Sequence, residues 1–529
     1  MRLRAILLGG TCSLMAVGAL AQSETDVLRF SQTYMKGSAR FTAMGGAFGA
    51  LGGDMSSFMI NPAGVGVYRS SEFTFSTGIL NSNQKIDYRG DRSFDGHTSV
   101  NVGNAGLVLN FFNNSNSELR NFNLGISYNR LNDFNQNTFL SGVNNENSIT
   151  DYFAEKSYGI KQVDLLSQNP FDSNLPWNSI LAWKTYLMDP ASSDNNNQFY
   201  LTPLARTRYA KDPYYAPYAR DIDKKGLNDA VFQDQWEEVR GFNDVVNIAF
   251  GGNLMDVVYV GGSLNITNIN YHSTKNYHEQ ADKNNLSNFN ELNYEEIYNA
   301  YGTGVSLGLG MILKPIQEIR IGVSYQSPTW NSIDEDYSAY MNSTFLNVNN
   351  GFAEYDTPIN TFSYRISSPQ RLTGSLGFIL GNYGIISADV DWVNYAGMRI
   401  HGSNDYRTLF NNINSAIDNS YRNTINARVG GELKLDKLAF RAGYQYYQNP
   451  YKKDFINSDN ATNVYSAGFG YRTRSFFFDF AYSLMTMKNA YSLYDYYYKD
   501  ANSTVDIYSG TATSNINRNS YIVTLGFKF

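Results

Sequence analysis

His97, His272, His278 and His401 are the only imidazoles among 529 residues, and Cys12 is the only thiol. Nucleophilic catalysis needs a serine or cysteine beside a base that a third group orients. No G-x-S-x-G elbow and no H-E-x-x-H helix is present to supply one. The spacing of His272 and His278 matches no standard metal site. The reading is therefore of a chain that is not an enzyme, with no catalytic residues, metal or cofactor. The remaining candidates are charges: Arg320, Arg371, Asp389, Asp391, Arg428, Glu432, Arg441, Arg472 and Asp479. Any of the arginines could hold a ligand carboxylate through charge-assisted hydrogen bonds. Because an unpaired buried charge is costly, most are expected to pair with one another. A net charge of −6 is mild for this length and argues against a nucleic-acid partner.

The elements that would position these charges are strands. In Ser520–Phe529, Tyr521, Val523, Leu525, Phe527 and Phe529 fall on one face, and Ile522, Thr524, Gly526 and Lys528 on the other. The same alternation recurs at Tyr383–Asn394, Asn423–Leu435, Lys437–Gln448 and Arg474–Met485, each with a large apolar face opposite a small or charged one. Strands of about ten or more residues with that division suit lipid outside and a polar lumen inside. Tyrosine numbers 41 and aromatics are 15% of the chain, as interfacial belts of a membrane barrel require. Nothing beyond the first residues approaches the roughly 18 consecutive apolar residues of a spanning helix. Arg2 and Arg4, the apolar run Ile6–Leu20 and Ala19-Leu20-Ala21 read as a signal peptide over residues 1–21. Cys12 falls inside it, so the mature chain is expected to have no disulfide.

Tight turns at Asn253–Asp256, Lys314–Ile316, Gly381-Asn382 and Asp436 alternate with long polar segments at about 133–240, 273–296, 330–357 and 488–515. Short periplasmic turns and long external loops are the asymmetry of an outer-membrane barrel. The expected fold is all-β: an antiparallel up-and-down barrel of about 14 strands spanning 72–529. Residues 22–71 precede the wall and are glycine-rich. Within the 133–240 segment, Trp177, Ile180, Leu181, Lys184 and Met188 follow helical spacing, and so do Phe232, Trp236 and Val239. Both sets are expected to be external helices. The cluster Asp212–Tyr218, rich in proline and tyrosine, fits a partner surface.

Ala39–Ala47 leads to Gly53-Asp54, Ser57 and then Asn61-Pro62-Ala63-Gly64, immediately before the first strand at Glu72–Leu80. This pattern resembles the hatch of the FadL family of long-chain fatty-acid and hydrocarbon channels, in the form common among Bacteroidota. The start differs slightly, reading Gly37-Ser38-Ala39-Arg40. The resemblance implies that residues 22–71 form an N-terminal hatch, or plug, inside the lumen of a monomeric barrel. It implies passive uptake of a hydrophobic small-molecule ligand, with a kink in the third strand releasing it sideways into the bilayer. It also implies contact with outer-membrane lipid and lipopolysaccharide, and recognition by the barrel-assembly machinery, for which a terminal phenylalanine is a fitting signal. Met44, Met55, Phe58 and Met59 are then candidate substrate-binding residues. Asn61, Pro62, Ala63 and Gly64 would shape a sharp turn, since proline fixes φ and asparagine bonds its own backbone. Gly125, the only glycine in the third strand at Leu119–Leu131, is the expected bulge or gate position. The alternative reading is a FadL-like barrel serving as an interaction scaffold or shuttle for secreted proteins.

Overall fold

The computed structural model describes residues 23–529 apart from 115, 168, 173–174, 192–193, 195, 199, 204–229, 283–287, 347–350, 454, 456 and 500–503. The expected signal peptide and the Asp212–Tyr218 cluster lie outside the described residues. Fourteen wall strands follow one another around a closed barrel. They are β1 (Glu72–Tyr88), β2 (Asp91–Asn113), β3 (Leu119–Asp133, resuming as Gln136–Asn144), β4 (Val231–Leu254), β5 (Val258–Ala281) and β6 (Phe289–Leu313). Then come β7 (Ile319–Gln326 and Trp330–Phe345), β8 (Asn360–Ser367 and Arg371–Leu380) and β9 (Gly384–Val393 and Arg399–His401). The last five are β10 (Thr424–Leu435), β11 (Leu438–Tyr447), β12 (Thr462–Arg472), β13 (Phe476–Ser492) and β14 (Thr511–Lys528). Each pairs antiparallel with the next, and β14 closes on β1 from Glu72↔Lys528 to Tyr88↔Ala512.

The period-two pattern decides which face meets lipid. On β10, Ile425, Val429, Leu433 and Leu435 are exposed outward while Asn426, Arg428 and Glu432 are buried inside. On β14 the outward residues include Tyr521, Leu525 and Phe527. The hairpins at the short-turn end use left-handed residues in tight turns: Met255 and Asp256 at φ 54 and 62 in the three-residue turn after β4, and Asp436 at φ 52 in the two-residue turn after β10.

The wall is taller than its apolar pattern. β4, β5 and β6 have 24, 24 and 25 residues, so much of the expected loop sequence at 273–296 and 330–357 is strand. The expected 133–240 loop is likewise trimmed from both ends, because β3 runs to Asn144 and β4 starts at Val231. Above the lipid belt both faces of a strand meet water or polar lumen, and the apolar alternation that marks the lower wall is lost. Trp177–Lys184 is helical as expected, but the helix ends before Met188. Phe232, Trp236 and Val239 are not helical; they lie on β4, paired to Val143, Phe139 and Gln136. Gln233 and Gln235 between them are buried, so the true period is two, with polar residues on the enclosed face.

The segment before β1 sits inside the barrel. It comprises α1 (Glu24–Ser31), α2 (Ala39–Ala43) and two 3₁₀ turns, Met55–Met59 and Pro62–Val67. Buried ions fasten it to the wall. Arg40 on α2 meets Glu432 at 3.0 Å, Arg441 bridges Glu432 and Asp479 at 2.7 Å each, and Arg472 closes on Asp479 at 2.8 Å. The backbone N–H of Gly49 donates to Asp389 at 3.1 Å, and Arg428 holds Asp389 and Asp391 together. Charges enclosed in this way are tolerable because each has a partner of opposite sign.

Candidate functional site

β1 and β2 stay paired along their length, from Glu72↔Val108 to Tyr88↔Asp91. On its other edge β2 pairs with β3 only from Asn104↔Asn129 to Asn113↔Asn121. Above that level β3 leaves the wall. Its pairing to β4 shifts between Arg130 and Asn132, the strand breaks after Asp133, and the upper piece moves inward. There Gln136 and Thr138 donate to Gln84 of β1 at 2.9 and 3.1 Å, and Leu140 packs with Ile86 and Tyr88. Phe134 turns into the lumen against Phe30 and Tyr271. A gap therefore opens between β2 and β3, at the height where Ile79, Val100 and Val102 face outward. A small cavity of about 30 Å³ lies beside it, between Lys36 of the amino-terminal segment, residues 78–80 of β1, Ser520 and Ile522 of β14, and Asn101, Asn132 and Asp133 at the gap.

Inside the wall, Asn132 also borders a chamber of about 460 Å³ between α1 and the tops of β5, β13 and β14. That volume is in the range of pockets for drug-sized ligands. Its surface mixes Leu28, Phe134, Tyr271, Met487 and Tyr491 with Arg29 and Arg518. Arg518 differs from the other buried arginines of the lumen. It is 7% exposed, and it donates to the backbone oxygen of Asp133 at 3.0 Å and to Gln136 at 3.1 Å. Its Nε has no acceptor, and no carboxylate among the described residues closes on it. Lys36 also has no ion pair there. Burial and the nearby Arg518, partly offset by Asp133, push the Lys36 amine down to about 8. Arg518 lines the chamber and Lys36 the small cavity at the gap, with Asp133 near both.

Among the charged candidates read from sequence, Asp389, Asp391, Arg428, Glu432, Arg441, Arg472 and Asp479 are consumed by the ion network. Arg371 reaches Thr33 at 2.9 Å and Asp391 at 4.0 Å, and Arg320 donates to the backbone of Leu51 at 2.7 Å. Arg518, which lines the chamber with no carboxylate partner among the described residues, is not among them. Its polar setting, Asn515-Ile516-Asn517-Arg518-Asn519, hides an inward face that reads as loop.

Three of the four candidate ligand residues are packed within the barrel. Met44 belongs to a buried cluster with Phe41 and Phe48, Met55 receives the Thr74 hydroxyl at 3.1 Å, and Phe58 lies over Gly125. Met59 borders a void of about 50 Å³ shared with Phe30, Met35 and Arg371. Gly125 sits in regular pairing, opposite Val108 and Ala249. The absent side chain makes room for Phe58, and the irregularity expected there falls at Arg130–Asn135 instead. Asn61 caps the turn after it: its Oδ1 accepts from Ala63 N at 3.1 Å, and its Nδ2 donates to Gly49 at 2.7 Å and to Met311 of β6 at 3.2 Å. Gly310 leaves space for that amide. Asn61-Pro62-Ala63-Gly64 thus ties the lumenal segment to the wall.

A closed 14-strand antiparallel barrel with an apolar outer belt and a polar lumen holding its own amino terminus is an outer-membrane channel architecture. The family of outer membrane protein transport proteins (OMPP1/FadL/TodX) matches residues 237–529, and the chain belongs to that family. The fold is also that of a Pseudomonas aeruginosa FadL homologue, at 14% identity and TM-score 0.52, covering 94% of this chain and 100% of that one. The P. putida toluene transporter TodX is similar at 12% identity and TM-score 0.50, covering 94% and 99%. No curated protein matches the sequence.

Proposed function

We propose that this chain is a passive outer-membrane channel for hydrophobic small molecules bearing an anionic end, with long-chain fatty acids as the type, and that it releases them sideways between β2 and β3. The observation that carries the reading is the position of Asn132, which borders both the chamber and the gap in the wall. A molecule held in the chamber has a short path to lipid at Ile79 and Val100. Sideways exit suits an apolar tail, because a water-filled route would expose it at about 0.8 kcal/mol per CH₂. Arg518 in the chamber and Lys36 at the gap supply charge-assisted donors for a carboxylate. Family membership and the toluene transporter fold support uptake of hydrophobic compounds generally. The plug motif Asn61–Gly64 holds the floor of this route in place.

The test uses the absence of cysteine beyond Cys12. Asn101 and Asp133 face each other across the gap, with a 3.1 Å hydrogen bond between them. Cysteines at both positions, bridged by oxidation or a short bifunctional thiol reagent, should abolish uptake of a labelled fatty acid in cells lacking their own channel. Reduction of an oxidised bridge should restore it. Uptake unchanged by the bridge would remove the lateral route. No uptake by the wild-type protein at normal surface level would remove fatty acid as the substrate, and would favour the scaffold reading.

A further inference from the structure

The wall has a second irregularity, far from the first. β7 breaks at Ser327-Pro328-Thr329, β8 at Ser368-Pro369-Gln370, and β9 at Asn394–Met398, where Tyr395–Gly397 forms a 3₁₀ turn. The three breaks lie side by side, between Gln326↔Arg371 below and Trp330↔Ser367 above. Proline lacks the N–H a ladder needs, so strands interrupt where it occurs. The wall nonetheless stays sealed. Ser327 N donates to Leu307 O at 2.9 Å, Ser368 N to Thr329 O at 3.0 Å, and Asn394 N to Gln370 O at 3.1 Å. The consequence is a recess on the outer surface, a groove of about 600 Å³ bordered by Ile266, Val305, Trp330, Arg365 and His401.

Its height is set by the residues along each strand. On β6 the outward residues Met311, Leu309, Leu307 and Val305 are apolar and exposed, and Thr303 follows above. On β7 Ile321, Val323, Tyr325 and Trp330 are followed by Ser332 and Asp334. On β8 Leu380, Phe378, Leu376 and Leu372 give way to Arg365 and Ser363. The groove therefore sits where the apolar belt ends on the long-loop side, which is the outer leaflet. Trp330, 53% exposed, has the interfacial position that tryptophan favours. Arg365 and His401 are cross-strand partners. Both point outward, and neither side chain makes a hydrogen bond or ion pair with a described residue. The nearest acid along the adjoining strand, Asp334, already accepts from Ser363 at 2.5 Å.

We propose that this groove is a binding site for the lipid A part of lipopolysaccharide, with an acyl chain along Ile266, Val305 and Trp330 and a phosphate on Arg365 and His401. A guanidinium beside a second donor matches a phosphate by charge and by fork geometry. The groove lies on the lipid side of the wall and is independent of the route through the lumen. Anionic lipid of the outer leaflet is the occupant that meets both its apolar floor and its positive rim.

The experiment counts lipid on the intact barrel by native mass spectrometry after purification from outer membranes in mild detergent. Lipid A, phosphatidylglycerol and inorganic phosphate are then added back separately. The wild-type protein should retain a single lipid A and bind phosphatidylglycerol far more weakly, with inorganic phosphate failing to displace it. The double variant Arg365→Gln/His401→Gln should bind lipid A about tenfold more weakly, the loss expected for a charge-assisted pair. Trp330→Ala should weaken it too, whereas Phe378→Ala, lower on the same belt, should not. Heat-modifiable migration confirms that each variant is folded. Equal lipid A binding by the double variant overturns the proposal. So does phosphatidylglycerol binding as tightly as lipid A, or displacement by inorganic phosphate alone.

Discussion

Two interruptions of one wall have opposite outcomes. Between β2 and β3 the ladder is lost and side chains alone span the seam, as Asn101 does to Asp133; across β7, β8 and β9 three strands break and backbone hydrogen bonds keep the wall joined. The difference lies in where the displaced strand finds partners. The upper part of β3 bonds to Gln84 and packs on Ile86 and Tyr88 inside the barrel, so it stays near β2 without remaking the ladder. At β7–β9 each break faces a break in its neighbour, and the freed N–H groups of Ser327, Ser368 and Asn394 find the adjacent carbonyls. A buried N–H left without a partner is expensive, so matched breaks keep the seal while a lone one redirects the strand.

The largest expected effect breaks the comparison directly. Cysteines at Thr329 and Ser368, whose backbone and side chain meet at 2.9 Å, should leave fatty-acid uptake untouched when bridged, whereas the bridge at Asn101 and Asp133 abolishes it. Loss of uptake from both would mean the whole wall must flex. A second contrast sets buried arginines against each other. Arg428→Ala leaves Asp389 without its cation and Asp391 with only Arg371 at 4.0 Å, and should cost about 3–5 kcal/mol in a denaturant folding titration. Arg518→Gln strands no carboxylate, so it should leave stability nearly unchanged and weaken carboxylate ligands about tenfold relative to neutral analogues, read by competition binding. Gly125→Val should cost about 1–3 kcal/mol by overpacking Phe58 without opening the wall, measured by the same titration and by bilayer conductance. The smallest effect is in pH. Lys36 is charged below about 8 and neutral above it, so carboxylate binding should fall modestly between pH 7 and 9. Lys36→Arg should flatten that profile.

What the sequence made legible follows the lipid. β10 to β14 have short turns at one end and a full outward apolar face, so alternation and turn residues alone mark the closing half of the barrel. Asn61-Pro62-Ala63-Gly64 was equally plain, because a turn of that composition has few other uses. The upper wall was hidden, since water or polar lumen meets both faces there. Phe232, Trp236 and Val239 then mimic a helix although they stand on β4. The positions that shape the wall were partly readable. Ser327-Pro328 and Ser368-Pro369 repeat one dipeptide in neighbouring strands, a signal that both ladders stop at one height. The departure of β3 had no such signal, because Asp133-Phe134-Asn135 contains neither proline nor glycine. Its cause is tertiary, a matter of what lies inside the barrel to receive it.

The seam between β14 and β1 joins the two ends of the wall, and the N–H of Ala39 inside it donates to Thr524 at 2.7 Å across 485 residues of sequence. Such a closure makes the order of assembly matter. If the amino-terminal segment is in the lumen before the last strand zips shut, the wall forms around it; if it comes later, it must enter through an end. Contacts this remote in sequence also form slowly. Once sealed, the wall bars the segment from moving sideways, and only the axial direction is left to it. The chamber and the small cavity beside Lys36 are the spaces left at its border.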